Sequence, residues 1–207
     1  MTNPILQSYI KPLIADFQSI SSNRKQVLER VSSWIHQQLE ENKTVRLNFI
    51  CTHNSRRSHF GQIWAAMAAN HYQVQNIHTY SGGTEATAFN PRSVAALQRA
   101  GFEVHIPEED KGNTNPHYHL FFAKNSSPII CFSKVYDDSS NPSKDFAAIM
   151  TCNHADVNCP VVLGASKRFA VTYEDPKVAD DSPQEKAKYD ERCLQIATEM
   201  FYLFSRV

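Results

Sequence analysis

The sequence predicts an α/β fold built on a mainly parallel sheet. Short apolar segments typical of strands alternate with longer segments typical of helices along most of the 207-residue chain. Such alternation is typical of parallel strands joined by crossover helices. The predicted strands are 44–50, 77–81, 103–106 and 146–150, and the predicted helices are 58–70, 90–100 and the segment after Pro183.

The composition excludes several classes of protein. The chain carries 21 basic and 21 acidic residues, so bulk charge gives no reason to expect binding to nucleic acid or to a membrane surface. No apolar run approaches the ~20 residues needed to cross a bilayer, and the N-terminus lacks the pattern of a secretion signal. Five cysteines, an odd number, argue against a secreted disulfide framework. We therefore expect a cytoplasmic protein whose disulfides, if any, are transient.

The sequence predicts one α/β domain over residues 44–207, with an extension before it and an insertion within it. Residues 1–43 predict a helical extension that packs on the core, with Pro12 kinking or ending its first helix and Asn23 capping its second. The second helix carries one apolar stripe: Val27, Leu28, Val31, Trp34, Ile35 and Leu39. Residues 107–144 predict a β insertion, an antiparallel pair of strands that decorates the sheet edge.

The stretch from Cys51 to Ser58 predicts an anion-binding loop. It places a cysteine at the end of a strand and turns directly into a helix, so that backbone N–H groups and the helix dipole favour both an anion and a thiolate. Arg57 offers a planar fork to two oxygens of the anion. Cys51 is thus a candidate nucleophile toward a phosphate-like group. The other candidate oxyanion-binding residues are Thr52, His53, Asn54, Ser55, Arg56 and Ser58. The Cys-x5-Arg spacing alone is weak evidence for such a site. A buried thiol at a strand end together with a surface arginine stays an alternative.

A second motif runs from Cys152 to Cys159. Cys152 follows a predicted parallel strand, which places it at the same sheet edge as Cys51, where ligands of open α/β sheets bind. Neighbouring thiols there are able to pass a disulfide from one to the next. Two unrelated buried thiols are one alternative. A zinc site of Cys152, His154 and Cys159 is another, although a closed structural site needs four ligands.

The pattern Cys-x-x-Asn-Ser-x-Arg-Ser after a hydrophobic strand resembles the low-molecular-weight protein tyrosine phosphatase superfamily. The Cys-x6-Cys-Pro stretch at 152–160 and the turn at 173–176 resemble the thioredoxin-coupled arsenate reductases within that superfamily. The resemblance covers roughly 44–106 and 146–205. It implies a three-layer fold with a four-stranded central sheet.

The resemblance also implies a mechanism. Arsenate would bind in the loop, Cys51 would attack arsenic, and Asp175 would protonate the departing oxygen, while Ser58 donates a hydrogen bond to the Cys51 thiolate. Cys152 and then Cys159 would carry the disulfide to thioredoxin as reductant. No metal and no tightly bound cofactor is expected.

The chain departs from the family pattern at three positions. His53 stands where glycine is frequent, and Arg56 stands where a second cysteine is frequent. Gln62 replaces a glutamate that, with Asn54 and a serine resembling Ser81, helps hold potassium in the family, so a potassium site is not expected here.

Two other functions stay open. A low-molecular-weight phosphatase would use Cys51, Arg57 and Asp175, and leave the Cys152–Cys159 pair idle. A non-catalytic redox or zinc-binding module would use the second motif alone. Cys193 is expected in the core, and Cys131 has no assigned role.

Overall fold

The computed structural model describes residues 3–123, 126–158 and 161–207. The strands are β1 Val45–Cys51, β2 Ile77–Gly83, β3 Glu103–His105, β4 Tyr118–Phe121, β5 Ile129–Cys131, β6 Phe146–Met150 and β7 Ala165–Ala170. The helices are α1 Pro4–Ala15, α2 Ser22–Glu40, α3 Arg57–His71, α4 Pro91–Ala100, α5 Asn153–Asn158 and α6 Glu185–Phe204. Short 3₁₀ turns lie at Phe17–Ser19, Glu108–Asp110 and Pro176–Ala179.

The central sheet has the strand order β2-β1-β6-β7, and its paired strands run parallel. Strands β1 and β6 are buried almost throughout, because both faces of the sheet are covered. The larger core lies between one face and helices α1, α2, α3, α4 and α6. A smaller cluster, which includes Cys51 and Cys152, lies on the other face beside α5. The predicted fold class, a three-layer α/β fold with a parallel four-stranded sheet, is confirmed.

One strand of that sheet was predicted at the wrong place. Strand β3, at the predicted position 103–106, belongs to a separate antiparallel sheet of order β3-β4-β5. The fourth central strand is β7, which the sequence pattern did not reveal. It lies at the edge of the sheet and buries only Phe169 fully, so it lacks the apolar run typical of an inner strand.

The predicted antiparallel pair within 107–144 forms as β4 and β5. Its placement differs from the prediction, because it pairs with β3 and not with an edge of the central sheet. Within the described residues, an isolated β-bridge between Gly83 and Val135 joins the insertion to the central sheet. That bridge lies beside the loop that follows β1.

The first 43 residues supply α1 and α2, which pack against α6. Leu28, Val31 and Ile35 of the predicted stripe are fully buried. Pro12 lies inside α1 and does not end it. The predicted cap at Asn23 is wrong: Ser21, whose backbone is extended, caps α2 by accepting the Arg24 N–H at 3.3 Å, and Asn23 already lies in the first turn. No helix in the described parts of the chain is long and apolar enough to span a bilayer.

Candidate active site

The loop after β1 presents open backbone donors. Cys51 ends the strand, and α3 begins at Arg57. Within the described residues, the N–H groups of residues 52–58 have no hydrogen-bond acceptor. Since native proteins pair nearly all of their buried N–H groups, such a run at a helix N-terminus is a binding site for an anion.

The Cys51 thiol lies within a short hydrogen-bond network. Its Sγ is 3.1 Å from Ser58 Oγ, and that oxygen accepts the Asn54 amide at 2.8 Å. Because Ser58 Oγ already accepts one bond, its own hydrogen is free for donation to the sulfur. Asn54 is held in turn by the Lys134 N–H, which its Oδ1 accepts at 2.9 Å. The network therefore orients a donor at Cys51, as a thiolate requires.

The loop rests on the chain that follows β2. Thr84 N–H donates to Cys51 O at 3.1 Å, and Glu85 N–H donates to Thr52 O at 2.8 Å. Gly83 leaves no room for a side chain: a Cβ there would lie 2.6 Å from Thr52 O and 2.7 Å from Asn54 N. Glycine at position 83 is what allows this close approach of the two segments.

Arg57 and Asp175 meet at the mouth of the loop. Arg57 Nη1 donates to Tyr173 O at 3.0 Å, and Nη2 donates to Asp175 Oδ2 at 2.5 Å. Arg57 Nε is buried with no partner in the parts of the chain that the structure describes. The predicted anion fork and the predicted acid thus lie side by side and bind one another. An entering oxyanion competes with Asp175 for the same guanidinium.

Cys152 lies at the same edge of the sheet as Cys51. Its Sγ is 3.4 Å from Thr52 Oγ1 and accepts the Ala155 N–H at 3.3 Å, in the first turn of α5. Both thiols are buried and belong to the same apolar cluster. Because Thr52 directly follows Cys51, its contact with Cys152 places that second cysteine beside the loop. Cys159 lies outside the described residues.

Known proteins resemble this chain in sequence and in fold. No family model matches the chain. The chain is 26% identical over 129 residues to arsenate reductase 2 of Staphylococcus epidermidis, and the aligned region covers 62% of this chain and 76% of that protein. It is 27% identical over 128 residues to an arsenate reductase of Staphylococcus aureus, with the same coverage. A low-molecular-weight phosphotyrosine phosphatase from Vibrio cholerae superposes with a TM-score of 0.52 over 78% of this chain and 95% of that one. At 13% identity, that structure shows a common fold alone.

The chain is thus similar in sequence to arsenate reductases and similar in fold to a low-molecular-weight phosphotyrosine phosphatase. These relatives support the prediction of an enzyme of arsenate reductase or cysteine phosphatase type.

Arg56, where the chain departs from the superfamily pattern, has contacts that the sequence did not predict. Its Nε donates to Tyr189 Oη at 2.7 Å, and its Nη2 donates to Asp180 Oδ2 at 3.3 Å. Tyr189 itself donates to Asp180, and burial is the main cause that raises its pKa to about 12. The structure therefore pairs the Arg56 side chain with Tyr189 of α6 and with Asp180, and its role in oxyanion binding stays a prediction.

His53 is part of the loop, and His154 lies beside it. The His53 carbonyl accepts hydroxyl hydrogens of Thr87 at 3.1 Å and Ser133 at 2.9 Å, while its ring is half-exposed. His154 is exposed, and its Nδ1 lies 3.3 Å from Thr52 Oγ1. This contact escaped the sequence reasoning, although His154 stands two positions after Cys152. No group of three metal-binding side chains occurs in residues 3–123, 126–158 and 161–207.

Two of the residues tied to potassium in the superfamily, Gln62 and Asn54, have protein partners here. Gln62 carries no charge, donates to Thr79 O at 3.4 Å and faces the Cys131 thiol at 3.7 Å. Asn54 Oδ1 already accepts the Lys134 N–H. The Lys134 side chain, itself buried, brings a cation to this region, and burial lowers the pKa of its ammonium group.

Proposed function

We propose that the chain reduces arsenate to arsenite through a thiol relay of Cys51, Cys152 and Cys159, recycled by thioredoxin in a reducing cytoplasm. The observation that carries the proposal is the meeting of Cys51 and Cys152 at Thr52, in one buried cluster beside an open anion loop. Curated relatives named arsenate reductase support it.

Binding begins in the loop of residues 52–58. Its open N–H groups surround a tetrahedral oxyanion, and the Arg57 fork balances the negative charge once the anion displaces Asp175. Asp175 is then released next to the bound anion. Its carboxyl group is placed for proton transfer only after substrate has entered.

In the first chemical step, the Cys51 thiolate attacks arsenic and an S–As bond forms. An As–O bond breaks, and the oxygen leaves as water with the proton that Asp175 supplies. Ser58 and the helix N-terminus stabilise the thiolate before the attack. Arsenic is still in the +5 state at the end of this step.

In the second step, the Cys152 thiolate attacks Cys51 Sγ. The S–As bond breaks, its electron pair stays with arsenic, and arsenite leaves in the +3 state while a Cys51–Cys152 disulfide forms. The Ala155 N–H and the Thr52 hydroxyl lie beside Cys152 Sγ, where they favour its thiolate.

In the third step, Cys159 attacks Cys152 Sγ and the Cys51 thiolate departs, which moves the disulfide to Cys152–Cys159. A thioredoxin dithiol then reduces that disulfide and supplies the two electrons of the cycle. The flanking segment exposes Val157, Val161 and Leu163, which suits contact with a protein reductant.

Phosphomonoester hydrolysis is the alternative. The trio of Cys51, Arg57 and Asp175 is sufficient for a cysteinyl-phosphate mechanism that leaves Cys152 idle. The proximity of Cys152 to the loop is the feature that favours the reductase.

The test is arsenite release from arsenate by the purified full chain with thioredoxin, thioredoxin reductase and NADPH. The wild type should turn over, Cys152→Ser should lose turnover, and Cys193→Ser should keep it as the matched control of a buried thiol. Aryl phosphate hydrolysis without arsenate reduction would assign the chain to the phosphatases.

A further inference from the structure

We propose that Arg24, in the helical extension of residues 1–43, is a positioning residue for the segment that carries Asp175. The inference rests on the proposed function only because it takes the loop of residues 52–58 as the site that binds the substrate oxyanion. It gives the extension, which lies outside the stretches that resemble the superfamily, a part in substrate binding.

Tyr173 is the residue through which Arg24 acts. Its backbone N–H donates to Thr151 O at 3.0 Å, and its carbonyl accepts Arg57 Nη1 at 3.0 Å. Tyr173 stands two positions before Asp175, which binds the other amino group of Arg57. A displacement of Tyr173 therefore moves both contacts that orient the Arg57 fork.

Arg24 lies over the ring of Tyr173. Its guanidinium carbon is 4.6 Å from the ring centroid, a separation at which cation and ring attract one another. The Tyr173 side chain is buried, and its hydroxyl lies near both Arg24 and Glu199. Packing against Arg24 is thus one restraint on the position of this ring.

Arg24 is itself firmly held. Its Nε and Nη2 donate to Glu199 Oε2 at 2.9 Å and 2.7 Å, and Glu199 Oε1 accepts the Gln195 amide at 3.1 Å. The Glu199 side chain is only 4% exposed, so this ion pair is little screened by solvent. Glu199 of α6 therefore holds the Arg24 side chain in place, and Arg24 in turn restrains the segment that carries Asp175.

Loss of Arg24 should loosen the site without removing any group that touches substrate. Displacement of catalytic groups by about 1 Å costs up to about 100-fold in rate. For Arg24→Ala we expect roughly tenfold weaker arsenate binding, a raised KM for arsenate and a kcat lowered by about tenfold. Arg24→Lys keeps the charge near Glu199 but loses the planar face, and it should fall between Arg24→Ala and wild type.

The experiment is calorimetric titration of the reduced full chain with arsenate, accompanied by steady-state kinetics and thermal unfolding. Arg30→Ala, on the exposed side of the same helix, is the matched control and should bind arsenate as the wild type does. Because Arg24→Ala leaves Glu199 buried without its partner, Tyr173→Leu serves as a second variant that keeps the ion pair. It should show the same loss of affinity.

The outcomes separate the two proposals. Weaker arsenate binding in Arg24→Ala and Tyr173→Leu, with Arg30→Ala unchanged, supports the positioning role. Unchanged affinity in folded Arg24→Ala, even with a lower Tm, would overturn it and leave the proposed function standing. A wild type that binds neither arsenate nor phosphate would overturn both.

Discussion

The described residues include two pairs of buried cysteines in different surroundings. Cys131 and Cys193 belong to the main core, where burial raises the pKa of each thiol to about 12. Cys51 and Cys152 are equally buried but lie in the smaller cluster, at the carboxyl edge of the parallel sheet. Burial alone therefore does not distinguish a reactive thiol from an inert one in this fold.

The surroundings of the sulfur atoms make the difference. Cys193 accepts a bond from Trp64 Nε1 at 3.3 Å and lies beside the Tyr9 side chain, within the main core. Cys51 faces Ser58 beside the open N–H groups of a helix N-terminus, and Cys152 faces Thr52 and the Ala155 N–H. A cysteine at a strand end that meets several donors is suited to chemistry, whereas one within the core is suited to packing.

The largest effect should follow removal of the nucleophile. Cys51→Ser should lower both arsenate reduction and aryl phosphate hydrolysis by about 10⁴-fold or more, since the attacking thiolate is gone. Cys193→Ser should change either rate by less than about threefold. Steady-state kinetics of both variants checks this, and comparable losses in the two would erase the distinction between the pairs.

Arg57→Lys should have the next largest effect. Lysine keeps the charge but cannot bind Tyr173 O and Asp175 through one planar fork. We expect a loss of about 100-fold in kcat/KM for arsenate. The control is Arg30→Lys, on the surface of α2, measured in the same kinetic assay. A kcat/KM close to that of the wild type in Arg57→Lys would mean that Arg57 does not contact the anion.

Ser58→Ala tests the hydrogen bond to Cys51. Alkylation of the native protein with iodoacetamide, followed by mass spectrometry, should modify Cys51 and spare Cys131 and Cys193. Ser58→Ala should slow the modification of Cys51 by about tenfold, because the thiolate loses its oriented donor. Rapid labelling of Cys193 in folded protein would show that the core thiols are not shielded.

The smallest effect concerns His59, which is buried and stacks on the Phe89 ring. Burial is the main cause that lowers its pKa to about 3, from 6.5 in an unfolded chain. The unfolded state therefore binds more protons between these values, and stability falls as the pH drops from 6.5 toward 3. This group alone contributes a slope of about 1.4 kcal/mol per pH unit in that window.

His59→Phe should remove that contribution. Urea unfolding between pH 7 and pH 5 should show a shallower loss of stability for the variant than for the wild type. Parallel curves would indicate that His59 takes up its proton in the native state.

The elements with a local pattern were predictable. The strand, loop and helix around Cys51 follow from an apolar run, a polar turn and a segment with helical spacing, and the structure confirms them. Strand β7 was missed because an edge strand with one buried side chain has no distinct pattern. The short segment at 103–106 was recognised as a strand, but no local signal states which sheet it joins.

The long-range contacts of the site could not be predicted from the sequence. The bond from the Lys134 N–H to Asn54 closes the back of the loop, yet nothing near residue 134 marks it as a partner. The same holds for Arg56 with Tyr189 and for Arg24 with Tyr173. These pairs depend on how helices pack, and a spacing rule within one segment does not describe that.

The most direct test of the relay is a single turnover of reduced Cys159→Ser with arsenate and no thioredoxin. The mechanism predicts one arsenite released per protein and a trapped Cys51–Cys152 disulfide in the peptide map, with Cys131 and Cys193 still reduced. Arsenite release without that disulfide, or no reduction of arsenate while Cys51 turns over an aryl phosphate, would contradict the account.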